Sequence, residues 1–135
     1  METSSTTTGH KALHIALWVA QIALAALFAF AGGMKLSMPL AELTEASGLP
    51  GGLIRFIGIA EIAGVLGLIL PALTRILPKL TALAALALAV VMVLAIGFHL
   101  SRGEAAYIGI PVAAFLLALF VAWGRYAKAP IAPRG

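Results

Sequence analysis

The stretch from Leu80 to Phe98 contains no charged side chain, and it restricts the fold more than any other feature of the chain. A helix needs roughly 20 residues to cross a hydrocarbon core about 30 Å thick, and this stretch has that length. Across the chain, 62% of the residues are hydrophobic and 10% are charged. About a quarter of the residues are charged in a typical soluble domain. The sequence therefore predicts an integral membrane protein that has the lipid bilayer as its main partner.

Three other stretches are also apolar and long enough to span a membrane. We predict one transmembrane domain over residues 12–124, with helices at about residues 12–35, 52–73, 79–100 and 105–124. Pro111 should kink the fourth helix or disturb its first turns, because proline lacks a backbone N–H group. The loops on either side of the third helix are short, so consecutive helices should be antiparallel there. The predicted fold is all-α, a transmembrane four-helix up-down-up-down bundle.

The segments outside these helices carry no hydrophobic pattern, so we predict disordered tails at residues 1–11 and 125–135. The letters AFAGG at residues 29–33 also resemble a signal-peptide cleavage site. The apolar run before them exceeds the usual length of about 7–15 residues, which favours a retained first span.

The basic residues predict the orientation. Four spans place both termini on one side, and that side carries most of the nine Lys and Arg residues, namely Lys11, Arg75, Lys79, Arg125, Lys128 and Arg134. The opposite side carries Lys35, Arg55 and Arg102. Because Lys and Arg concentrate in cytoplasmic loops, we predict a multi-pass membrane protein with both termini in the cytoplasm.

The absence of cysteine excludes several kinds of chemistry. Disulfides, thiol redox reactions, iron–sulfur clusters and cysteine-based zinc sites all require it. A histidine without a second one nearby in the sequence is weak evidence for a metal or haem site, so we assign neither. The net charge of +4 is explained by membrane topology, and we predict no nucleic-acid partner.

Glu61 is the most informative residue of the chain. If the second helix enters the membrane near Gly52, nine residues at about 1.5 Å each place Glu61 roughly 13 Å deep. An ionised carboxylate at that depth costs at least about 2.5–3.5 kcal/mol, so it must be protonated, paired or beside water. An intramembrane acid is by default a candidate functional residue.

Several polar side chains could neutralise Glu61. Gln21 lies about 12 Å inside the opposite boundary and could reach Glu61 if the first two helices touch. Lys35 could bend inward to Glu61 or extend outward to the lipid headgroups. The simpler alternatives are that Lys35 and Arg102 anchor helix ends and that His99 is an interfacial histidine with a satisfied hydrogen bond. The candidate cluster comprises Lys35, Glu61, His99, Arg102, Arg55 and Gln21.

Small residues indicate where the helices approach one another. Ala25, Ala29 and Gly33 are spaced by four residues along the first helix, and glycines surround Glu61 on the second at Gly58, Gly64 and Gly67. Small residues at such spacing allow close packing between membrane helices, and we expect packing contacts at these positions.

Three segments carry a resemblance to a known family: LFAFAGGMKL at residues 27–36, GLPGGLIRFIGIAEIAGVLGLILP at 48–71 and AIGFHLSRGE at 95–104. With these segments the chain resembles the DoxX-like family of small four-helix bacterial membrane proteins. The resemblance implies a location in the bacterial cytoplasmic (inner) membrane. It implies that Lys35, Glu61 and His99, followed by Arg102, are characteristic polar positions. It also implies a functionally diverse set of relatives, some linked to quinol or thiosulfate:quinone oxidation and others to complexes that handle oxidative stress.

We therefore expect a non-catalytic membrane subunit or partner of a redox- or stress-associated complex, which binds a membrane or periplasmic protein and could itself oligomerise. Its Lys/Glu/His cluster would lie in the outer leaflet. The alternative is a quinone-interacting oxidoreductase subunit in which Glu61 or His99 transfers protons, with quinone as the cofactor. A small-solute transporter is the weakest hypothesis, because beyond Gln21 few polar side chains would line a path through the inner leaflet.

Overall fold

The computed structural model describes residues 2–134, with side chains from residue 9 onward. Within this part of the chain there are five α-helices: α1 (Glu2–Ser37), α2 (Leu40–Ser47), α3 (Gly51–Thr74), α4 (Lys79–Ser101) and α5 (Gly109–Trp123). A 3₁₀ turn, Ala105–Tyr107, precedes α5, and a π-helical turn, Gly124–Lys128, extends it. Helices α1, α3, α4 and α5 are long and apolar enough to cross a membrane. The predicted all-α transmembrane bundle is confirmed.

The four long helices form a closed bundle. Helix α1 packs on α3, α3 on α4, α4 on α5, and α5 returns to α1. The up-down-up-down order places the beginning of α1 beside the end of α5. We call this the terminus end of the bundle. The short helix α2 lies at the opposite end, which we call the α2 end.

The core is apolar and continuous from helix to helix, and includes Leu24, Phe28, Leu68, Leu88 and Ala118. On α3 the buried positions recur every three or four residues, at Gly51, Ile54, Gly58, Glu61, Gly64 and Leu68. Because a helical turn contains about 3.6 residues, these positions lie on one face. Glu61 therefore faces the inside of the bundle and not the lipid.

The fourth span differs from the prediction at both ends. Helix α5 begins at Gly109, and the predicted start near residue 105 belongs to the 3₁₀ turn. Pro111 explains the later start, because a proline is best accommodated in the first turn of a helix, where its missing N–H group would have no intrahelical partner. At the other end the π turn continues to Lys128, so residues 125–128 are helical and not a disordered tail.

The first span also differs, because α1 begins at Glu2 and includes the segment predicted as a disordered tail. No proline interrupts residues 2–11, so nothing there forces a helix to end.

Helix α2 is an addition to the predicted fold. It follows Pro39 and ends at Gly48, whose φ of 74° lies in the left-handed region that glycine adopts freely.

Candidate functional site

Near the α2 end, all four spanning helices line one cleft of about 210 Å³. Lys35 reaches it from α1, Glu61 from α3 and His99 from α4. Apolar side chains complete the walls, among them Phe28 and Pro111. We call this space the Glu61 cleft. The structure thus brings together three of the residues predicted as a polar cluster.

Lys35 and Glu61 form an ion pair in which Nζ lies 2.8 Å from Oε1. The side chain of Glu61 is 3% exposed, whereas that of Lys35 is 27% exposed and bends inward from its helix end. Oε1 accepts no well-directed hydrogen bond from a described residue, so the contact with the ammonium is electrostatic. The pairing offsets the cost of a buried charge and leaves hydrogen-bonding capacity on the carboxylate.

Close packing of α1 on α3 lets the two charges meet. A Cβ atom on Gly58 would lie 2.6 Å from the Cβ of Lys35, and a Cβ on Gly32 would lie 3.0 Å from the carbonyl oxygen of Gly58. A side chain at Gly58 would force the two helices apart, and one at Gly32 would require its neighbours to give by a few tenths of an ångström. Glu61 follows Gly58 by three residues and therefore lies one turn further along the same face.

His99 connects the Glu61 cleft with a second acid. Its Nδ1 lies 3.0 Å from Oε1 of Glu104, and the two side chains are 30% and 31% exposed. Because a carboxylate only accepts, Nδ1 donates in this contact and Nε2 becomes an acceptor when the ring is neutral. A hydrogen bond therefore connects His99, which lines the cleft, with the partly exposed carboxylate of Glu104.

Arg55 and Arg102 do not line the Glu61 cleft. Arg55 donates through Nη2 to the carbonyl oxygen of Met38, directly before α2, and Arg102 donates through Nη1 to that of Ser47, the last residue of α2. The guanidinium of Arg102 also lies 5.1 Å from the ring centre of Phe98. A cation at a helix C-terminus is favourable, and Arg102 occupies that position at the end of α2. Arg55 contacts the chain just before α2 begins, so the two arginines together hold α2 across the end of the bundle.

Gln21 lies in a different polar cluster, closer to the terminus end. Its Nε2 donates to the carbonyl oxygen of Leu68 at 2.8 Å, and its Oε1 accepts from Nε of Arg125 at 2.6 Å. Leu68 follows Glu61 by seven residues, or about 10 Å along the axis of α3. Gln21 is therefore not a partner of Glu61. The depths of Gln21 and Glu61 were estimated from opposite membrane boundaries, and such estimates are too coarse to show that the two residues lie at different levels of the bundle.

Arg125 is the buried polar residue that sequence reasoning missed. It is 2% exposed and also donates to the carbonyl oxygen of Ala129 at 3.0 Å and to Nδ1 of His14 at 2.9 Å. None of the ion pairs among the described side chains includes it. We call Arg125, Gln21 and His14 the Arg125 network. Every nitrogen of its guanidinium has an acceptor, which indicates a role in joining helices.

The spacing of the small and apolar residues along α5 could have indicated that Arg125 is buried. Ala114, Ala118 and Val121 form the buried stripe of this helix, and Arg125 continues it one turn further. A polar residue on the extension of an apolar stripe faces the interior, whereas the prediction placed Arg125 in a tail.

The donors around the Glu61 cleft suit an organic polar group. An ammonium and an imidazole can donate hydrogen bonds, and a carboxylate can accept them or hold a proton. In the described part of the chain, no three His, Asp or Glu side chains are grouped so that they could hold a metal ion. The cleft therefore combines hydrogen-bonding groups with apolar walls.

The sequence matches one known protein family. No curated protein and no solved structure matches the chain. The sequence model of the DoxX-like family matches residues 19–122, a range that includes Lys35, Glu61 and His99 together with most of the four spans. The chain therefore belongs to the DoxX-like family.

Proposed function

We propose that the protein is a non-catalytic membrane subunit or partner of a redox- or stress-associated complex, and that the Glu61 cleft binds a small carbonyl-bearing group such as a quinone head. The observation that carries the proposal is the Lys35–Glu61 ion pair, which is buried and borders a cleft also lined by His99. A structural ion pair alone would not require a cleft or a third polar side chain beside it.

The size and chemistry of the cleft support a ring-sized ligand. Pockets for drug-sized ligands occupy about 300–1,000 Å³, so a cleft of about 210 Å³ suits a head group and not an entire isoprenoid molecule. The carbonyl oxygens of a quinone accept hydrogen bonds, which the ammonium of Lys35 donates. Because Nδ1 of His99 donates to Glu104, His99 adds a second donor, its Nε2, only when the ring is protonated. Apolar walls such as Phe28 and Met92 would contact the ring.

A titration of the purified full-length protein with a short-chain benzoquinone tests this proposal. We expect saturable binding in detergent micelles, weakened at least several-fold in Glu61→Gln because the charge that positions Lys35 is lost. Glu45→Gln, an exposed acid on α2, is the matched control and should bind as the unaltered protein does. Equal binding by Glu61→Gln would contradict a role for this cleft.

The partner role has its own experiment. Affinity purification of the tagged chain from its native membranes should recover a second protein in a fixed ratio, also from the Glu61→Gln variant, in which quinone binding is weakened. Recovery of the chain alone would overturn the partner role and leave the ligand site unaffected.

The second candidate function is that of a quinone-linked oxidoreductase subunit. One observation favours it: Glu61 and His99 line the same cleft, and His99 contacts the partly exposed Glu104. In this function a quinol bound in the cleft would release its protons to Glu61 or His99, and its electrons would pass to a partner subunit. Glu61→Gln would then abolish quinol-dependent turnover of the purified complex. Unchanged turnover would exclude this role for Glu61.

A further inference from the structure

A large apolar groove lies at the terminus end, away from the Glu61 cleft. It has a volume of about 750 Å³ and is formed by the first two turns of α4, the end of α5 with its π turn, and the C-terminal segment. We call it the Trp123 groove. Its walls include Leu80, Leu83, Leu86, Trp123 and Pro133.

Specific contacts hold the C-terminal segment against the groove. The backbone N–H of Arg134 donates to the carbonyl oxygen of Arg75 at 2.8 Å, which fixes Pro133 beside the start of α4. Ala129 is fully buried, and its carbonyl oxygen accepts from Nη1 of Arg125 at 3.0 Å. The groove is therefore a defined part of the fold and not a gap between loose ends.

The mouth of the groove is positively charged. Lys79 lines it directly, and Arg75, Lys128 and Arg134 are exposed at the same end of the bundle. Among the described acidic side chains, Glu42, Glu45 and Glu104 lie at the α2 end and Glu61 lies inside the bundle. No described carboxylate therefore offsets the charge at this mouth.

The aromatic residues place the groove at the membrane boundary. Trp123 and Tyr126 line it and are 48% and 73% exposed. Tryptophan and tyrosine favour the level of the lipid headgroups, and basic residues at the same level attract anionic lipids. An acyl chain in the groove would thus have its headgroup beside Lys79.

We propose that the Trp123 groove is a binding site for an anionic phospholipid, with one acyl chain in the groove and the phosphate beside Lys79. The charge at the mouth selects this occupant over a neutral lipid. The volume lies within the usual range of about 300–1,000 Å³ for small-molecule sites. The site would tie the protein to the leaflet that faces the terminus end.

Tryptophan fluorescence tests the proposal, because the chain contains two tryptophans and Trp18 can be replaced. The ring centre of Trp18 lies 5.7 Å from the guanidinium of Arg125, so Trp18→Phe keeps an aromatic ring there. In this background the remaining signal comes from Trp123. The purified full-length protein is reconstituted with brominated phosphatidylglycerol or brominated phosphatidylcholine. We expect phosphatidylglycerol to quench Trp123 at a mole fraction about fivefold lower.

Substitutions assign the preference to the groove. Lys79→Gln should make the two lipids quench alike, whereas Lys11→Gln, an exposed lysine at the same end, should preserve the difference. Leu83→Phe should narrow the groove and weaken quenching by phosphatidylglycerol, and Leu94→Phe, on the same helix outside the groove, should not. Circular dichroism confirms that each variant is folded.

Three outcomes would overturn the proposal. Equal quenching by both lipids in the unaltered groove would indicate ordinary contact with bulk lipid. A preference for phosphatidylcholine would indicate a neutral occupant. Protection of Trp123 from both lipids, together with a dimeric mass, would indicate that a second copy of the chain covers the groove.

Discussion

The Nε of Arg125 donates to the Oε1 of Gln21 at 2.6 Å, across a separation of 104 positions in the chain. Both side chains are nearly or completely buried. The Nε2 of Gln21 in turn donates to the carbonyl oxygen of Leu68 on α3. One arginine therefore joins α5 to α1 and, through Gln21, to α3. The bundle is closed at this level by hydrogen bonds as well as by apolar packing.

Arg125→Lys is expected to destabilise the bundle almost as strongly as Arg125→Gln, by at least about 2 kcal/mol. A lysine keeps the charge but lacks the planar fork that donates to several acceptors at once. Unfolding of the purified protein in mixed micelles, followed by circular dichroism, measures the difference. Arg134→Gln is the control, because its side chain is exposed and only its backbone N–H is bonded. Full stability of Arg125→Lys would show that the charge alone suffices.

Sequence reasoning predicted the architecture because lipid imposes simple rules. Apolar runs of about 20 residues must be helices, since their backbone groups need internal hydrogen bonds. Glu61 could be recognised for the same reason, as an acid within such a run. Its partner Lys35 was one of two alternatives, because a lysine at a helix end can bend either inward or outward.

The finer contacts could not be predicted, because they depend on helix rotation. The stripe expected to pack was Ala25, Ala29 and Gly33, but α1 contacts α3 at Gly32. Gly32 precedes Gly33 by one residue, which corresponds to a rotation of about 100° around the helix axis. A Cβ atom added to Gly33 would meet nothing within 4 Å, and Ala29 is exposed. Arg125 was missed because positively charged residues after a span are usually anchors.

Lys35→Met should lower the free energy of unfolding by about 3 kcal/mol, because it leaves the carboxylate of Glu61 buried without its cation. The double variant Lys35→Met with Glu61→Gln should recover much of this loss, since neither charge remains. Unfolding in mixed micelles measures these two variants and Glu61→Gln alone, and Lys11→Met at the other end serves as control. Strictly additive effects would mean that the two side chains do not interact.

Arg102→Gln should loosen α2 without unfolding the bundle. The contact of Arg102 with the carbonyl oxygen of Ser47 is partly exposed and is worth about 1 kcal/mol, which corresponds to about fivefold faster local opening. Hydrogen–deuterium exchange of the α2 amides measures this directly. Arg75→Gln, an exposed arginine at the terminus end, should leave α2 exchange unchanged. If both variants behave alike, Arg102 does not hold α2.

Two glycines of α3 provide a matched test of the close approach to α1. Gly58→Ala places a Cβ 2.6 Å from the Cβ of Lys35, so the helices must separate at a cost of about 1–3 kcal/mol. Gly52→Ala meets nothing within 4 Å and should stabilise the helix by up to about 0.5 kcal/mol, less than in a helix interior because Gly52 lies in the first turn of α3. Thermal unfolding of both variants measures these opposite signs.

Quinone binding extends the same test to the Glu61 cleft. Separation of α1 from α3 in Gly58→Ala would move Lys35 away from Glu61, so this variant should bind the short-chain benzoquinone more weakly than Gly52→Ala. The comparison keeps every polar side chain of the cleft in place and changes only the distance between helices. Equal stability and equal binding of the two alanine variants would mean that the approach of α1 to α3 does not control the ion pair.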